Sequence, residues 1–143
     1  MTEPIAKLRL EDVLRETESP DDLVFLLRAG DQDDNLDRLQ HQAARLSRRY
    51  TLGGVDCYGV SAFAATVESE VWVLATKMDV RRRYYRITTA DVAGLRLLPT
   101  FTAPHWTVLF PGPDGPDYQA FLDALGDLRE NPYWKRRVGR RPR

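Results

Sequence analysis

Leu36, Leu39, Ala43, Leu46 and Tyr50 recur at spacings of three and four, so on a helix they form a single apolar stripe. The spacing predicts a helix over residues 34–49, with Asp33 and Asp34 at its electropositive start and Arg45, Arg48 and Arg49 at its electronegative end. Such a stripe must be buried against something, and most of the remaining chain offers only short apolar runs bounded by turn residues. Residues 23–27 (Leu-Val-Phe-Leu-Leu) are stopped by Gly30 and read as a buried strand too short for a stable helix. Residues 55–63 are β-rich, with Gly59 marking a bulge or a close backbone approach. Residues 84–88 and 95–98 are further strand candidates, and 105–110 alternates as a strand that Pro111 ends.

A second helix is expected from Pro116 to about residue 129, with Tyr118, Phe121, Leu122, Leu125 and Leu128 on one side. A short amphipathic segment is expected at 8–17. Residues 66–78 stay open: Val67, Val71, Leu74, Ala75 and Met78 fit a helical face, whereas Val71 to Leu74 alone suit a central strand. The pattern predicts an α+β domain over residues 1–130, a mostly antiparallel sheet of four to five strands carrying two main amphipathic helices, followed by a flexible basic tail at 131–143.

A chain of 143 residues is long enough to bury a core without disulfides or a structural metal, and 43% hydrophobic with 29% charged residues is an ordinary globular composition. No apolar run approaches the roughly 18 residues of a membrane span, and the first ten residues lack a signal-peptide layout. The single cysteine, Cys57, offers no internal disulfide and no metal cluster. A cytoplasmic protein with no metal, no cofactor and no membrane partner is the expectation.

The net charge is zero, yet the charges are segregated. Residues 1–37 hold 11 acids and 4 bases, residues 38–110 hold 5 and 10, and residues 111–143 hold 5 and 7. An acidic front and a basic middle imply either a surface facing a polyanion or matching between segments. The zero total argues against a dedicated DNA-coating protein.

The basic middle contains Arg81-Arg82-Arg83-Tyr84-Tyr85-Arg86, and Pro104-His105-Trp106-Thr107 follows about two dozen residues later. On a strand, Arg83 and Tyr85 point one way while Tyr84 and Arg86 point the other, so at most half of the block serves any one site. Arginine would hold a phosphate by paired hydrogen bonds, and tyrosine would stack on a base. The plainer reading is a solvated strand face whose arginine stems cover apolar surface. His105 and Thr107 share a strand face opposite Trp106, Val108 and Phe110, and can act on a phosphodiester as base and hydrogen-bond donor. Arg48-Arg49-Tyr50 supplies a second phosphate grip, although arginines also suit a helix C-terminus. Cys57 is either a nucleophile with His105 as its base or a small buried residue.

His105-Trp106-Thr107 resembles the His-x-Thr motif of two-histidine phosphoesterases, and also histidines of small ribonuclease toxins. The first family carries two such motifs, whereas the only other histidine, His41, lies in His41-Gln42-Ala43 within the predicted helix. Tyr58-Gly59-Val60-Ser61 resembles the serine-bearing strand of ADP-ribosyltransferases, which would imply an upstream arginine, here Arg49, and a downstream acid, Glu68 or Glu70.

Two function classes follow. One is a toxin-like protein that binds or acts on RNA or a nucleotide, with His105 as general acid or base, Thr107 orienting phosphate, and Arg83, Arg86 and Arg49 neutralising charge beside Tyr84 and Tyr85. The other is a non-catalytic interaction module, docking a partner protein or a second copy of the chain through its acidic N-terminal segment and arginine-rich surface.

Overall fold

The computed structural model of the protein describes residues 6–16, 22–30, 35–77, 82–91 and 94–131. Its elements run β1 (Leu8–Arg9), a 3-10 turn (Leu10–Val13), β2 (Phe25–Gly30), α1 (Leu36–Arg49), β3 (Tyr50–Leu52), β4 (Val55–Asp56), β5 (Tyr58–Ala65), α2 (Glu68–Lys77), β6 (Tyr84–Thr89), β7 (Arg96–Pro99), β8 (His105–Phe110), α3 (Pro116–Ala124) and β9 (Arg129–Glu130). The fold is α+β. A six-stranded sheet of order β7-β8-β5-β2-β6-β9 is antiparallel throughout, and a small sheet of order β1-β3-β4 sits beside it.

The four or five strands and two main helices expected from the sequence are therefore too few. The additional strands are mostly two or three residues long, below the length at which alternation can be read. Of the undecided stretch, Glu68–Lys77 forms a helix, in which Val71 and Ala75, one turn apart, are buried together against Leu27 and Tyr85. The segment at 8–17 does not form an amphipathic helix. It contributes a two-residue strand and a 3-10 turn, and Leu14 bridges to Thr100. The last helix stops at Ala124 instead of continuing to 129, and Arg129 and Glu130 pair with Tyr85 and Tyr84. Asn131, assigned to the flexible tail, is fully buried; its amide N–H donates to the Arg83 carbonyl at 2.7 Å and its side chain to the Arg82 carbonyl at 3.1 Å. Residues 132–143 lie outside the described residues, as do Asp33, Asp34 and Arg81.

α1 begins two residues later than expected, with Asn35 as its cap: the side-chain oxygen accepts from the Arg38 amide at 2.9 Å, filling one of the first-turn donors that the helix leaves open. Its Leu39 and Ala43 enter the main core with Leu26, Trp106, Val108, Phe110, Tyr118 and Phe121, so α1 and α3 cover one face of the large sheet. α2 covers part of the other face, over Leu27, Ala65 and Tyr85. The small sheet and the 3-10 turn cover a second part of that face, where Leu10, Tyr50 and Cys57 pack on Leu98 and Leu109. Gly59 is a point of close approach: a Cβ there would lie 2.8 Å from both the Thr107 methyl and the Val108 carbonyl.

The sheet is not continuous at its centre. β2 pairs with β5 only from Phe25 to Leu27, then continues with β6 through Gly30, while β5 continues with β8 back to Tyr58. The two central strands thus part at Arg28. α1 crosses at this opening, since Leu39 and Ala43 belong to the main core whereas Leu46 packs with the cluster under the small sheet.

Candidate functional site

A cavity of about 980 Å³ occupies the split. Its floor is the strip of sheet left uncovered between α2 and the small sheet, where Ser61 and Phe63 of β5 lie opposite Thr107 and His105 of β8. One wall is a stripe of α1 formed by Arg38, His41, Gln42, Arg45 and Arg49, on the flank of the apolar stripe that builds the core. Arg28, Arg82, Tyr50 and Phe101 complete the principal lining. Five arginines and two histidines face it, against one carboxylate, Asp37.

Arg28 is 5% exposed and stands where β2 and β5 separate. Its guanidinium donates to the Ser61 carbonyl at 2.6 Å and to the Gln42 side-chain oxygen, tying β2 to β5 and to α1 across the gap. A buried cation is tolerable only when its donors are used, and here they replace the ladder hydrogen bonds that the diverging strands forgo. On α1, Arg38 keeps its Nε buried without an acceptor among the described residues, while His41, Arg45 and Arg49 are exposed.

His105 is held from several sides. Its Nδ1 lies 3.0 Å from the Thr100 hydroxyl, which lies 2.6 Å from the Thr107 hydroxyl. Phe63 and Phe101 meet the imidazole edge to face at 6.1 and 5.2 Å. Arg15 donates to the carbonyls of His105 and Thr100 at 2.5 and 2.8 Å and stacks over Trp106. Burial holds the His105 pKa below the ordinary imidazole range; a contact with the Thr100 backbone opposes this and the Arg15 charge adds to it. The ring is therefore mostly neutral near pH 7, with Nδ1 engaged by Thr100.

Thr107 differs from its expected role. It is 2% exposed with its hydroxyl already bonded, so it supports His105 through Thr100 in place of meeting a phosphate. The basic-aromatic block is also mostly elsewhere. Tyr85 shares the sheet face of His105, as the pairings of Ala29 with Tyr85 and of Leu27 with Phe63 and His105 show, but it is buried beneath α2 and edge-on to Trp72. Burial raises its phenol pKa, partly offset by Arg129. Tyr84 and Arg86 lie on the opposite face; Arg86 donates to the Gly126 carbonyl at 2.7 Å, and Arg83 stacks over Tyr84. None of the four lines the cavity, and among the described residues of that block only Arg82 does.

Arg49 lines it, and Arg48 does not. Cys57 is buried under the small sheet with its thiol pKa pushed up by desolvation, and its Sγ lies 3.5 Å from the Tyr50 carbonyl, so it is no partner for His105. The arginine that reaches the Ser61 strand is Arg28, and Glu68 and Glu70 stand exposed at the start of α2, away from the cavity. Much of the acidic N-terminal segment falls outside the described residues. Among the described residues no cluster of His, Cys, Asp or Glu could hold a metal ion, and no helix is long and apolar enough to cross a membrane.

The sequence reading missed Arg28, Arg38, His41, Arg45 and Arg82. Two signals pointed to the first four: a lone charge at the end of the apolar run of β2, and Arg38, His41, Arg45 and Arg49, which helical spacing gathers on one side of α1; none pointed to Arg82. No protein-family model, curated protein or solved structure matches the chain.

Proposed function

We propose that the protein binds RNA or a nucleotide in the cavity at the split of its sheet, with the α1 arginines holding phosphate and His105 placed for proton transfer. The carrying observation is the lining itself: five arginines and two histidines against a single aspartate in one concave site. Guanidinium groups match phosphate oxygens two at a time, and a concave wall of one sign concentrates an anion beyond what scattered surface charges achieve. Arg45 and Arg49 are exposed and so able to meet a ligand without giving up a structural role. In this reading Arg28 fixes the shape of the cavity. Thr100 and Thr107 position His105, whose neutral ring can accept a proton from an attacking hydroxyl.

The test is calorimetric titration of the protein with AMP and with a short oligoadenylate at two salt concentrations. Binding is expected to weaken with added salt, and Arg45→Ala and Arg49→Ala are each expected to lose about tenfold in affinity while melting like the parent. Failure of both probes to bind, or binding indifferent to both substitutions, overturns the reading. Incubation with RNA tests the proton-transfer role, with cleavage expected from the parent and lost in His105→Asn.

A further inference from the structure

Phe101 has the least ordinary placement in the cavity lining. Its φ is +61°, a left-handed conformation that is unfavourable for a residue with a Cβ, and the residue remains 40% exposed. A strained backbone persists only where its surroundings hold it. Here the Phe101 amide donates to the Val13 carbonyl at 2.8 Å, Thr100 bridges to Leu14, and Arg15 donates to the carbonyls of Thr100 and His105. The ring meets Tyr50 at 5.9 Å and His105 at 5.2 Å, both edge to face, which fixes its orientation at the mouth of the site. The fold thus commits the Leu14–Thr100 bridge and the Arg15 guanidinium to holding an aromatic residue that it does not bury, beside a cationic wall.

We infer that Phe101 is the platform for a nucleobase, so that the ligand is a nucleotide unit, free or within a single strand, and not a bare phosphate or sugar phosphate. The inference rests on the phosphate-binding reading above and adds the base. An aromatic ring beside a row of guanidiniums is the pairing that single-stranded nucleic acids and nucleotides require, since every base has a π-face and every unit a phosphate. The row from Arg38 to Arg49 extends about 16 Å along α1, room for more than one phosphate.

Affinities for inorganic phosphate, ribose 5-phosphate, AMP and hexa-adenylate, measured on the parent and on Phe101→Leu, test this. AMP is expected to bind the parent about tenfold more tightly than ribose 5-phosphate, and Phe101→Leu to erase that margin while leaving ribose 5-phosphate unchanged. Saturation transfer from protein aromatic protons to adenine H2 and H8, seen in the parent alone, gives a readout should Phe101→Leu fold poorly. Equal affinity of the parent for AMP and ribose 5-phosphate overturns the inference yet leaves the phosphate-binding reading intact. Binding of none of the four probes overturns both. Hexa-adenylate binding above AMP identifies a strand as the source of the unit, and equal binding identifies a free nucleotide; either outcome upholds the platform.

Discussion

The Arg28 guanidinium donates to the Ser61 carbonyl at 2.6 Å across the point where β2 and β5 part. That bond continues the connection between the two strands beyond the end of their ladder, and Gln42 extends the tie to α1. Hydrogen bonds to a charged group contribute about 1.5–3 kcal/mol each, and removing an acceptor also leaves the buried cation less well solvated. Gln42→Ala is therefore expected to destabilise the protein by about 1.5–3 kcal/mol. Arg28→Ala should cost more, since it loses both bonds and the packed side chain. Urea midpoints at constant m measure both, and an unchanged midpoint in Gln42→Ala would show that the tie contributes nothing.

A protonation change at His105 should couple to stability on the acid side. Its folded pKa lies below the unfolded value because burial disfavours the imidazolium, so between the two pKa values the unfolded chain binds more protons. Stability is full above about pH 6.5 and is lost as the pH falls from there through the folded pKa. Thermal melts should show this loss in the parent and a shallower one in His105→Asn. A folded-state titration of His105 above the free imidazole value, followed by NMR, would contradict the assignment. An anionic ligand beside the ring favours its protonated form, so ligand binding should take up protons in weakly acidic buffer.

The parts of the fold set by local pattern were legible in the sequence. β8 occupies His105–Phe110, the residues whose alternation announced it, and α1 follows its three-four spacing. The parts set by distant partners were not. Thr107 alternates onto the polar side of β8, yet it is buried and its hydroxyl is taken by Thr100 from the preceding loop. Arg81 to Arg86 drew attention as a dense block, but strand register sends Tyr85 under α2 and Arg86 to the α3 connection. The cavity itself depends on where one strand pairing stops. Nothing in residues 25–30 or 58–65 alone specifies that, apart from the arginine that sits in the gap.

Gly59 offers a sharp packing test. It pairs with Leu109, and a Cβ would press on the Thr107 methyl and on the Val108 carbonyl, a backbone atom that cannot turn aside. Gly59→Ala is expected to lower stability by about 1–3 kcal/mol, as overpacking does elsewhere in close-packed interiors. Because Thr107 is the neighbour displaced, the same substitution should perturb the His105 resonances. A stable variant with unshifted His105 signals would mean that β5 and β8 are not so closely apposed.

Tyr118 contributes to the loss of stability expected at alkaline pH. Its ring stacks on Phe110 with centroids 3.9 Å apart, and its hydroxyl donates to the Gly112 carbonyl at 2.7 Å, pinning the Pro-Gly connector to α3. Desolvation pushes its pKa up to about 12, with Tyr58 and Asp114 adding to the rise. In the unfolded chain the phenol ionises near pH 10, so above that value the folded state binds more protons than the unfolded one. Stability should then fall as the pH rises from about 10 towards 12. Tyr118→Phe removes the phenol and should flatten this slope, while costing about 1 kcal/mol at neutral pH for the lost hydrogen bond. The difference in phenolate absorbance between parent and variant reports the Tyr118 titration directly. Ionisation near pH 10 in the folded parent would mean that the hydroxyl is solvated and that the connector is not held by it.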